Sequence, residues 1–348
     1  MAPYNHTSMI SVGILGASGF VGAELLRLCA SHPEFEVVYA TGDSQAGALA
    51  STLYPSLTTA YPNLVFDEYS LDKSLKCDVV FLALPHEASL KIVPQLVNKV
   101  RLVVDCSAAF RLKDPTLYPT WYGFDHDQPA ELKAAVYGLP ELYRQELKTA
   151  KLIATPGCYV TAASLALAPL VKASVISTTG VIVDAASGVS GAGRALKSSN
   201  SFCAVDEDFT AYGLLDHRHT PEIEQVTGAQ VLFTPHLAPM NRGILATCYA
   251  RPIDASKTST ASLLAVLSRT YAREPFVAVR PASPSTKATL GTNSVHLSAR
   301  FDQRTGYVIV LSAIDNLTKG AAGGAVQAAN VALGIDESFG LTKVGLYP

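Results

Sequence analysis

Apolar runs of strand length alternate with helical patterns through the first half of the chain. Near-continuous apolar runs are typical of buried parallel strands, and they occur at residues 12–15, 35–40, 77–86, 100–110 and 151–158. This alternation predicts an α/β domain with a doubly wound parallel sheet, in which ligands bind at the carboxyl ends of the strands.

Beyond residue 158 the pattern changes to long β-type runs with hairpin-like turns, such as the one at 304–306. These runs predict a mixed or antiparallel sheet in a second, catalytic domain. The final segment, 316–334, is rich in small residues and predicts a helix. The expected fold is therefore an α/β domain followed by an α+β domain.

Composition narrows the class of protein. At 348 residues the chain is long enough for two domains, each with its own core. Hydrophobic residues make up 49% of it, yet no uninterrupted apolar stretch is long enough to span a membrane. The net charge of −2 argues against a nucleic-acid partner, which favours a basic surface. We expect a soluble enzyme that binds neither membrane nor nucleic acid.

The cysteines are scattered, with no CxxC pair and no zinc spacing, so the sequence predicts no metal site. Four of them lie in apolar runs and are expected to be buried and reduced, namely Cys29, Cys77, Cys106 and Cys248. The first ten residues carry neither a secretory signal pattern nor an Arg-rich transit pattern, which predicts a cytoplasmic location.

A glycine-rich turn follows the first predicted strand. The order of strand, turn, helix and strand around Gly-x-x-Gly-x-x-Gly lets a dinucleotide pyrophosphate approach a helix N-terminus. Glycine spacing alone also suits an ordinary tight turn, and it is the complete βαβ context that favours dinucleotide binding. We expect the cofactor to contact this turn, which consists of Gly16, Ala17, Ser18, Gly19, Phe20, Val21 and Gly22.

The turn after the second strand bears on the choice of cofactor. It reads Thr41-Gly42-Asp43-Ser44, with no acid at the strand end itself. An acid there would repel a 2′-phosphate, whereas the hydroxyls of Thr41 and Ser44 could donate hydrogen bonds to one. The turn therefore predicts NADP in preference to NAD. An orientation of Asp43 toward the ribose would reverse this preference.

Cys158 is the candidate nucleophile. It follows Pro156-Gly157 directly and precedes a long run of small and apolar helix formers. A thiol in the first turn of a helix lies near unpaired backbone N–H groups and the positive end of the helix dipole. Both favour the thiolate and activate the cysteine. The alternative is a buried structural cysteine.

Two histidines flank an arginine just before a predicted helix. Thr220 is a good N-cap and Pro221 suits the first helical position, so the histidines lie in the segment that enters the helix. Alternate residues of an extended segment share a face, so His217 and His219 can point into one cleft with Arg218 turned away. One histidine is the expected acid/base partner of the thiol, and we favour His217 as an acid that stays protonated near neutrality beside a thiolate.

Two more loops carry candidate binding groups. Segment 187–197 interleaves three glycines with two serines before Arg194 and Lys197, which suits a phosphate or carboxylate, although an ordinary surface loop has the same composition. Ser107 and Arg111 lie just beyond a strand end. Arg111 either clamps a carboxylate or makes a structural ion pair.

A set of ordered motifs covers the chain from about residue 11 to the C-terminus. They read GASGFVGAELLRL, DCSAAFR, YGLPEL, PGCYVTAA, SGVSGAGR, HRHTPEI, FTPHLAPMNRGIL and DNLTKGAAGGAVQAAN. Together they closely resemble the N-acetyl-γ-glutamyl-phosphate reductase family, which acts in arginine biosynthesis. The chain departs from the family at Val160, which is usually proline, and at Ala109, which is often aspartate.

The resemblance implies an NADP-binding Rossmann domain over 1–157 and 316–348. It also implies a catalytic and oligomerisation domain over 158–315, shared in fold with aspartate-semialdehyde dehydrogenase, and a homodimer or homotetramer. Cys158 stands where the family's nucleophile stands. We expect further cofactor contacts from Pro85, Ser187, Gly188 and Asn316. We expect substrate contacts from Ser107, Arg111, Ser190, Gly191, Arg194 and Arg242.

These features predict attack of a thiolate on an acyl phosphate, loss of phosphate, and hydride transfer from NADPH to the resulting thioester. The product implied by the resemblance is N-acetylglutamate 5-semialdehyde. Two alternatives are a reductase of carrier-bound aminoadipyl phosphate and a non-catalytic dinucleotide-sensing module. The first would need a basic groove for its acidic carrier, which the net charge of −2 does not suggest. The intact cysteine and histidines argue against the second.

Overall fold

The first half of the chain forms a parallel sheet. The computed structural model describes residues 9–347, so the N-terminal stretch 1–8, on which the predicted location rests, lies outside the described residues. The sheet has six strands in the order β2-β1-β3-β4-β6-β5, all parallel. Its strands are β1 (Ile10–Leu15), β2 (Phe35–Ala40), β3 (Val79–Leu82), β4 (Leu102–Asp105), β5 (Val136–Tyr137) and β6 (Leu152–Ala154).

Helices connect these strands and cover the sheet. The order reverses beside β1, where β3 lies on the opposite side from β2, and this switch point opens a crevice at the carboxyl edge. The sequence prediction of a doubly wound domain is confirmed. The helices are α1 (Phe20–Cys29), α2 (Ala50–Leu53), α3 (Leu71–Ser74), α4 (His86–Leu96), α5 (Tyr118–Tyr122), α6 (Pro129–Ala134) and α7 (Pro140–Leu147).

The second sheet is mixed, as predicted, with seven strands in the order β11-β12-β13-β10-β7-β9-β8. The β7–β9 and β11–β12 pairs are parallel, and the other pairs are antiparallel. Its strands are β7 (Val181–Gly188), β8 (Thr210–Ala211), β9 (Val231–Ala238), β10 (Ile244–Ala250), β11 (Val277–Val279), β12 (Val295–Asp302) and β13 (Tyr307–Ile314). The accompanying helices are α8 (Cys158–Lys172), α9 (Phe202–Val205), α10 (Thr220–Thr227) and α11 (Thr260–Thr270).

The packing of helix α8 fixes the position of its first residue, Cys158. Almost all of its side chains are buried, and it packs against the second sheet together with α10 and α11. Small and apolar residues around the whole circumference are typical of a helix buried on all sides. The helix therefore places its first residue at a fixed point between the two sheets.

The chain returns to the first domain at its end. After β13 it makes a π-helical turn (Thr318–Ala322) and continues as α12 (Gly323–Leu333). Ala325, Val326 and Ala329 are buried in the same core cluster as Leu25 and Phe81 of the first domain. The predicted C-terminal helix thus completes the core of the parallel sheet.

One face of the second sheet packs on helices, whereas the opposite face is partly exposed. Alternate residues of the central strands point to this outer face, and Leu232 of β9 is 51% exposed there. Its neighbours across the sheet include Ile182, Tyr249 and Ile309. Among residues 9–347 there is no helix of the length and apolarity needed to cross a membrane.

Candidate active site

The carboxyl edge of the parallel sheet and the amino end of α8 enclose a cleft of about 570 Å³, here called the Cys158 cleft. Loops after β4 and β6 enter it from the first domain, and the segment before α10 enters it from the second. The structure thereby brings together predicted site residues that are far apart in sequence. Among those lining the cleft are Ser107, Arg111, Cys158, Ser187, Gly191, His217 and His219.

Cys158 is the first residue of α8, with Gly157 at the N-cap position, as the sequence predicts. Its side chain packs against the π-helical turn, where a Cβ on Gly320 would lie only 2.8 Å from the Cys158 Cβ. Burial raises the pKa of the Cys158 thiol to about 11, despite backbone hydrogen bonds and the Arg111 charge that lower it. Loss of hydration therefore favours the protonated thiol over the thiolate expected from the helix terminus.

His219 lies directly against the backbone that precedes the nucleophile. A Cβ on Gly157 would lie 2.2 Å from its Nε2 atom, so only glycine leaves room for the imidazole. The Nδ1 atom of His219 is buried without a hydrogen-bond partner among the described residues. The Nε2 edge of the ring thus faces the backbone that leads to Cys158.

His217 has a defined tautomer. Its Nδ1 accepts a hydrogen bond from the backbone N–H of His219 at 3.1 Å, so the proton of the neutral ring is on Nε2. The ring lies 4.8 Å from that of His219, centroid to centroid, and packs against Tyr159, Tyr212 and Phe233.

Both imidazoles are neutral at pH 7. Burial, followed by the nearby Arg218 charge, lowers the pKa of His217 to about 4. Burial and the neighbouring histidine hold the pKa of His219 well below its usual value. The same burial that favours the protonated thiol thus disfavours the imidazolium that the sequence led us to expect.

The helix after the histidines begins one residue earlier than predicted. Its N-cap is His219, Thr220 is its first residue, and no side chain caps it. The predicted Thr220 cap is wrong because the turn is closed by the Thr220 N–H, which donates to the His217 carbonyl. Arg218 is also not turned away, since it lines the Cys158 cleft.

A fully buried carboxylate, Glu222, lies behind the cleft. It accepts hydrogen bonds from the Gly157 N–H at 3.0 Å and from the Tyr137 hydroxyl. The guanidinium of Arg111 lies 3.5 Å from its second oxygen and also donates to the Thr155 and Cys106 carbonyls. Arg111 thus makes the structural ion pair that the sequence offered as one alternative. Glu222 was missed, although an acid in the first turn of a helix after two histidines is a recognisable signal.

The glycine-rich turn fits a dinucleotide. Gly16 has a φ of +83°, and a Cβ there would lie 2.4 Å from the Ala83 carbonyl oxygen. A Cβ on Gly22 would lie 2.4 Å from the Gly16 carbonyl oxygen, so the turn needs both glycines. Helix α1 begins at Phe20 without a side-chain cap, which leaves its first N–H groups for an anion.

The turn after β2 differs in part from its predicted use. The Thr41 hydroxyl is buried and accepts a hydrogen bond from the Gly16 N–H at 2.9 Å, so it fixes the glycine-rich turn and does not face a 2′-phosphate. Ser18 is likewise engaged, donating to the Gly42 carbonyl. Ser44 is exposed and lies beside Asp43. Pro85, another predicted cofactor contact, is also exposed and lies at the start of α4.

Several predicted binding groups in and around the loop after β7 are hydrogen-bonded or packed against other parts of the protein. The Asn316 amide accepts from the Gly243 N–H at 2.7 Å and donates to the Ser190 hydroxyl at 3.0 Å, so it positions this loop. Gly188 packs against the backbone of Arg242. Ser190 and Arg194 are not among the residues that line the Cys158 cleft.

The proposed carboxylate contact of Arg242 is wrong. Its guanidinium hydrogen-bonds to Glu24, Asp315 and Thr318, which joins α1 to the end of β13. A guanidinium with two buried carboxylate partners is committed to structure. Within the described chain, Arg242 is also absent from the lining of the Cys158 cleft.

Two further polar side chains enter the cleft. Lys197 comes from the loop of residues 187–197, here called the Gly/Ser loop, as the sequence suggested, whereas Tyr212, from the segment before the histidines, was not selected from the sequence. Cys106 also lines it and is half-buried, which corrects the expectation of a fully buried residue. Together, fold and cleft define a two-domain oxidoreductase with a dinucleotide turn and a cysteine–histidine centre.

Comparisons with known proteins agree with this class. The model of the semialdehyde dehydrogenase NAD binding domain matches residues 11–150, and the model of the semialdehyde dehydrogenase dimerisation domain matches residues 158–316. Proteins named N-acetyl-gamma-glutamyl-phosphate reductase are similar along their whole length. The relative from Geobacter sulfurreducens is 46% identical over 98% of this chain and 100% of its own. The relative from Symbiobacterium thermophilum is 47% identical over 97% of this chain and 99% of its own.

The chain belongs to the N-acetyl-γ-glutamyl-phosphate reductase family. This membership does not favour a carrier-dependent reductase or a dinucleotide sensor. Solved structures show the same fold at low identity. Aspartate semialdehyde dehydrogenase II complexed with ASA from Vibrio cholerae has a TM-score of 0.70 at 16% identity and covers 94% of this chain and 99% of its own. The aspartate semialdehyde dehydrogenase with NADP from Candida albicans has a TM-score of 0.67 at 17% identity and covers 93% and 98%.

The raised thiol pKa predicts how Cys158 reacts with an alkylating agent. Only the thiolate reacts, and below a pKa of about 11 its fraction grows with pH. We expect the rate of iodoacetamide labelling of Cys158 to rise about tenfold for each pH unit from pH 7 to 10. Peptide mass spectrometry in a Cys203→Ser background, which removes the exposed thiol, measures this rate. A plateau below pH 8 would contradict a protonated resting thiol.

Proposed function

We propose that this chain reduces N-acetyl-γ-glutamyl phosphate to N-acetylglutamate 5-semialdehyde with NADPH, in arginine biosynthesis, through a thioester on Cys158. The observation that carries the proposal is the cleft itself. It places the thiol of Cys158 at the start of a buried helix with two imidazoles, at the sheet edge that holds the dinucleotide turn. The family relatives named above support the substrate.

Cys158 is the proposed nucleophile and His219 its base. As the sulfur attacks the acyl carbonyl, the thiol proton passes to the imidazole of His219, whose Nε2 edge faces the backbone before Cys158, and phosphate leaves. The buried setting makes this concerted transfer necessary, because neither a free thiolate nor a free imidazolium is favoured beforehand. When bound, NADPH supplies the hydride that reduces the thioester.

His217 is the proposed acid. Its Nε2–H is fixed as a donor because Nδ1 already accepts the His219 N–H. It becomes an imidazolium by receiving the proton that the adjacent His219 took from the thiol, and it then protonates the oxyanion that forms at the former carbonyl, a contribution worth roughly 10²–10⁴-fold. When the thiohemiacetal collapses, the hydroxyl proton returns through the histidines to the sulfur of Cys158 and the aldehyde is released.

The two anionic ends of the ligands have separate candidate sites. The substrate phosphate is placed at the Gly/Ser loop, where Gly191 and Lys197 line the cleft. The dinucleotide pyrophosphate is placed at the start of α1, between Gly16 and Gly22. Ser44 is the remaining hydroxyl for the 2′-phosphate of NADP.

We further propose that two copies associate through the outer face of the second sheet. The matching dimerisation-domain model covers this sheet, and Leu232 with its partly exposed neighbours gives the face an apolar centre. Three expectations stay predictions: a homotetramer, a cytoplasmic location, and the division of the chain into one domain of 1–157 with 316–348 and another of 158–315. The sheet boundaries and the return of α12 support the division.

The function is tested in the reverse direction. We expect N-acetylglutamate 5-semialdehyde to reduce NADP only when inorganic phosphate is present, followed at the nicotinamide absorbance band. Cys158→Ser should abolish turnover and leave NADP binding unchanged, because a serine hydroxyl is a far weaker nucleophile at neutral pH. Cys203→Ser, at an exposed position, is the matched control and should remain active. Turnover by Cys158→Ser would contradict the covalent mechanism.

The histidine roles are separated by the intermediate that accumulates. With freshly prepared acyl phosphate and NADPH, His217→Asn should retain a thioester on Cys158, because hydride transfer lacks its acid. His219→Asn should show little thioester, because attack by the thiol lacks its base. Intact-mass measurement after acid quench reads both outcomes. The opposite pattern would exchange the two assignments.

The cofactor assignment predicts a preference for NADPH. We expect its kcat/KM to exceed that of NADH by at least about tenfold, or ~1.4 kcal/mol, and Ser44→Ala to reduce this ratio. Steady-state rates with each nucleotide measure it. An equal or reversed preference would indicate that Asp43, whose φ is +49°, turns its carboxylate toward the ribose.

A further inference from the structure

Arg218 occupies an unusual position in the Cys158 cleft. It lies between the two catalytic histidines in sequence, and its side chain lines the cleft and reaches across to the first domain. There its Nη1 atom lies 2.9 Å from Nε2 of His86, the first residue of α4. The guanidinium carbon is also 5.9 Å from the centre of the Tyr122 ring. Neither His86 nor Tyr122 has a part in the chemistry proposed above.

The charge of Arg218 has no carboxylate to balance it. Within residues 9–347, no aspartate or glutamate oxygen lies within the 4.0 Å that defines an ion pair with its guanidinium. Arg111, the other arginine of the cleft, is already paired with Glu222 and bound to two carbonyls. Arg218 is exposed to solvent at the cleft, and a guanidinium without a carboxylate partner there is suited to a planar anion, which it can bind through two parallel N–H bonds.

We propose that Arg218 binds the α-carboxylate of the substrate and that His86 is a positioning residue that holds the guanidinium in the cleft. This rests on the proposed function, which gives the substrate two anionic groups. Lys197, on the Gly/Ser loop, is the cation left for the phosphate. The carboxylate is then met by Arg218, beside Tyr122.

The contact with His86 defines how the arginine is held. Arginine can only donate, so His86 Nε2 must be the acceptor and its Nδ1 must carry the ring proton. Burial, followed by the Arg218 charge, lowers the pKa of His86, which keeps the ring neutral and able to accept. The ring also packs against Tyr122 and Phe124. A side chain from the parallel-sheet domain thus orients a substrate-binding group of the second domain.

The test compares two aldehydes in wild type and variant. One is N-acetylglutamate 5-semialdehyde, and the other is 4-acetamidobutanal, which has hydrogen in place of the α-carboxylate. Arg218→Gln should lower kcat/KM for the first by about 30-fold, as expected for a charge-assisted pair, mainly through KM. For the second, wild type and Arg218→Gln should differ by less than about twofold. Arg269→Gln, an exposed arginine on α11, is the matched control and should match wild type with both.

Three results would overturn the proposal. The first is an equal loss of kcat/KM in Arg218→Gln with both aldehydes, and the second is no loss with either. The third is a rise in the KM for inorganic phosphate without a change in aldehyde preference. The last would assign Arg218 to the phosphate. Failure of the proposed function looks different, because wild type itself would then show no phosphate-dependent turnover with N-acetylglutamate 5-semialdehyde.

The positioning role of His86 has its own readout. His86→Leu removes the acceptor and should raise KM for N-acetylglutamate 5-semialdehyde at nearly unchanged kcat, with no effect on 4-acetamidobutanal. His86→Gln offers an amide oxygen at similar reach and should restore most of the affinity. An equal KM rise with both aldehydes, or no rescue by glutamine, would show that His86 does not act through Arg218.

Discussion

The carboxylate of Glu222 is the point on which the geometry of the cleft depends. It is fully buried at the start of α10, and it receives the N–H of Gly157 from the loop that delivers the nucleophile. Tyr137 and Arg111 approach it from the parallel sheet. A buried carboxylate is tolerated only when such donors surround it. Because Glu222 belongs to the second domain and all three donors belong to the first, satisfying this one charge brings the loop before Cys158 and the histidine segment together.

The burial that this packing creates shifts the protonation of the site. It raises the pKa of Cys158 and lowers those of His217 and His219, which favours neutral groups at rest. The reactivity of the proposed nucleophile then depends on proton transfer within the cleft and not on a thiolate formed in advance.

The features that depend on local sequence pattern could be predicted, whereas the contacts that depend on residues far apart in the chain were missed. Strand runs, the glycine-rich turn and a cysteine at a helix start are local, and the structure places them as expected. The predicted use of Arg242 was wrong because its partners, Glu24 and Asp315, are set by tertiary packing. The expectation that the Arg218 side chain turns away from the cleft was also wrong, because its acceptor, His86, lies 132 residues away in sequence. The partners of these polar side chains are distant in sequence, and hydrophobic periodicity carries no record of them.

The return of the chain to the first domain explains how two domains act as one site. At the π-helical turn, Gly320 packs against Cys158, and the fully buried ammonium of Lys319 binds Glu141 and Gln327. A buried ion pair adds little net stability, yet it is costly to break, so it selects one arrangement of its elements over others. The turn that follows the second sheet is thereby fixed to the helices of the first. Such contacts restrict sliding of one domain against the other, and so they hold the cleft between the domains in one arrangement.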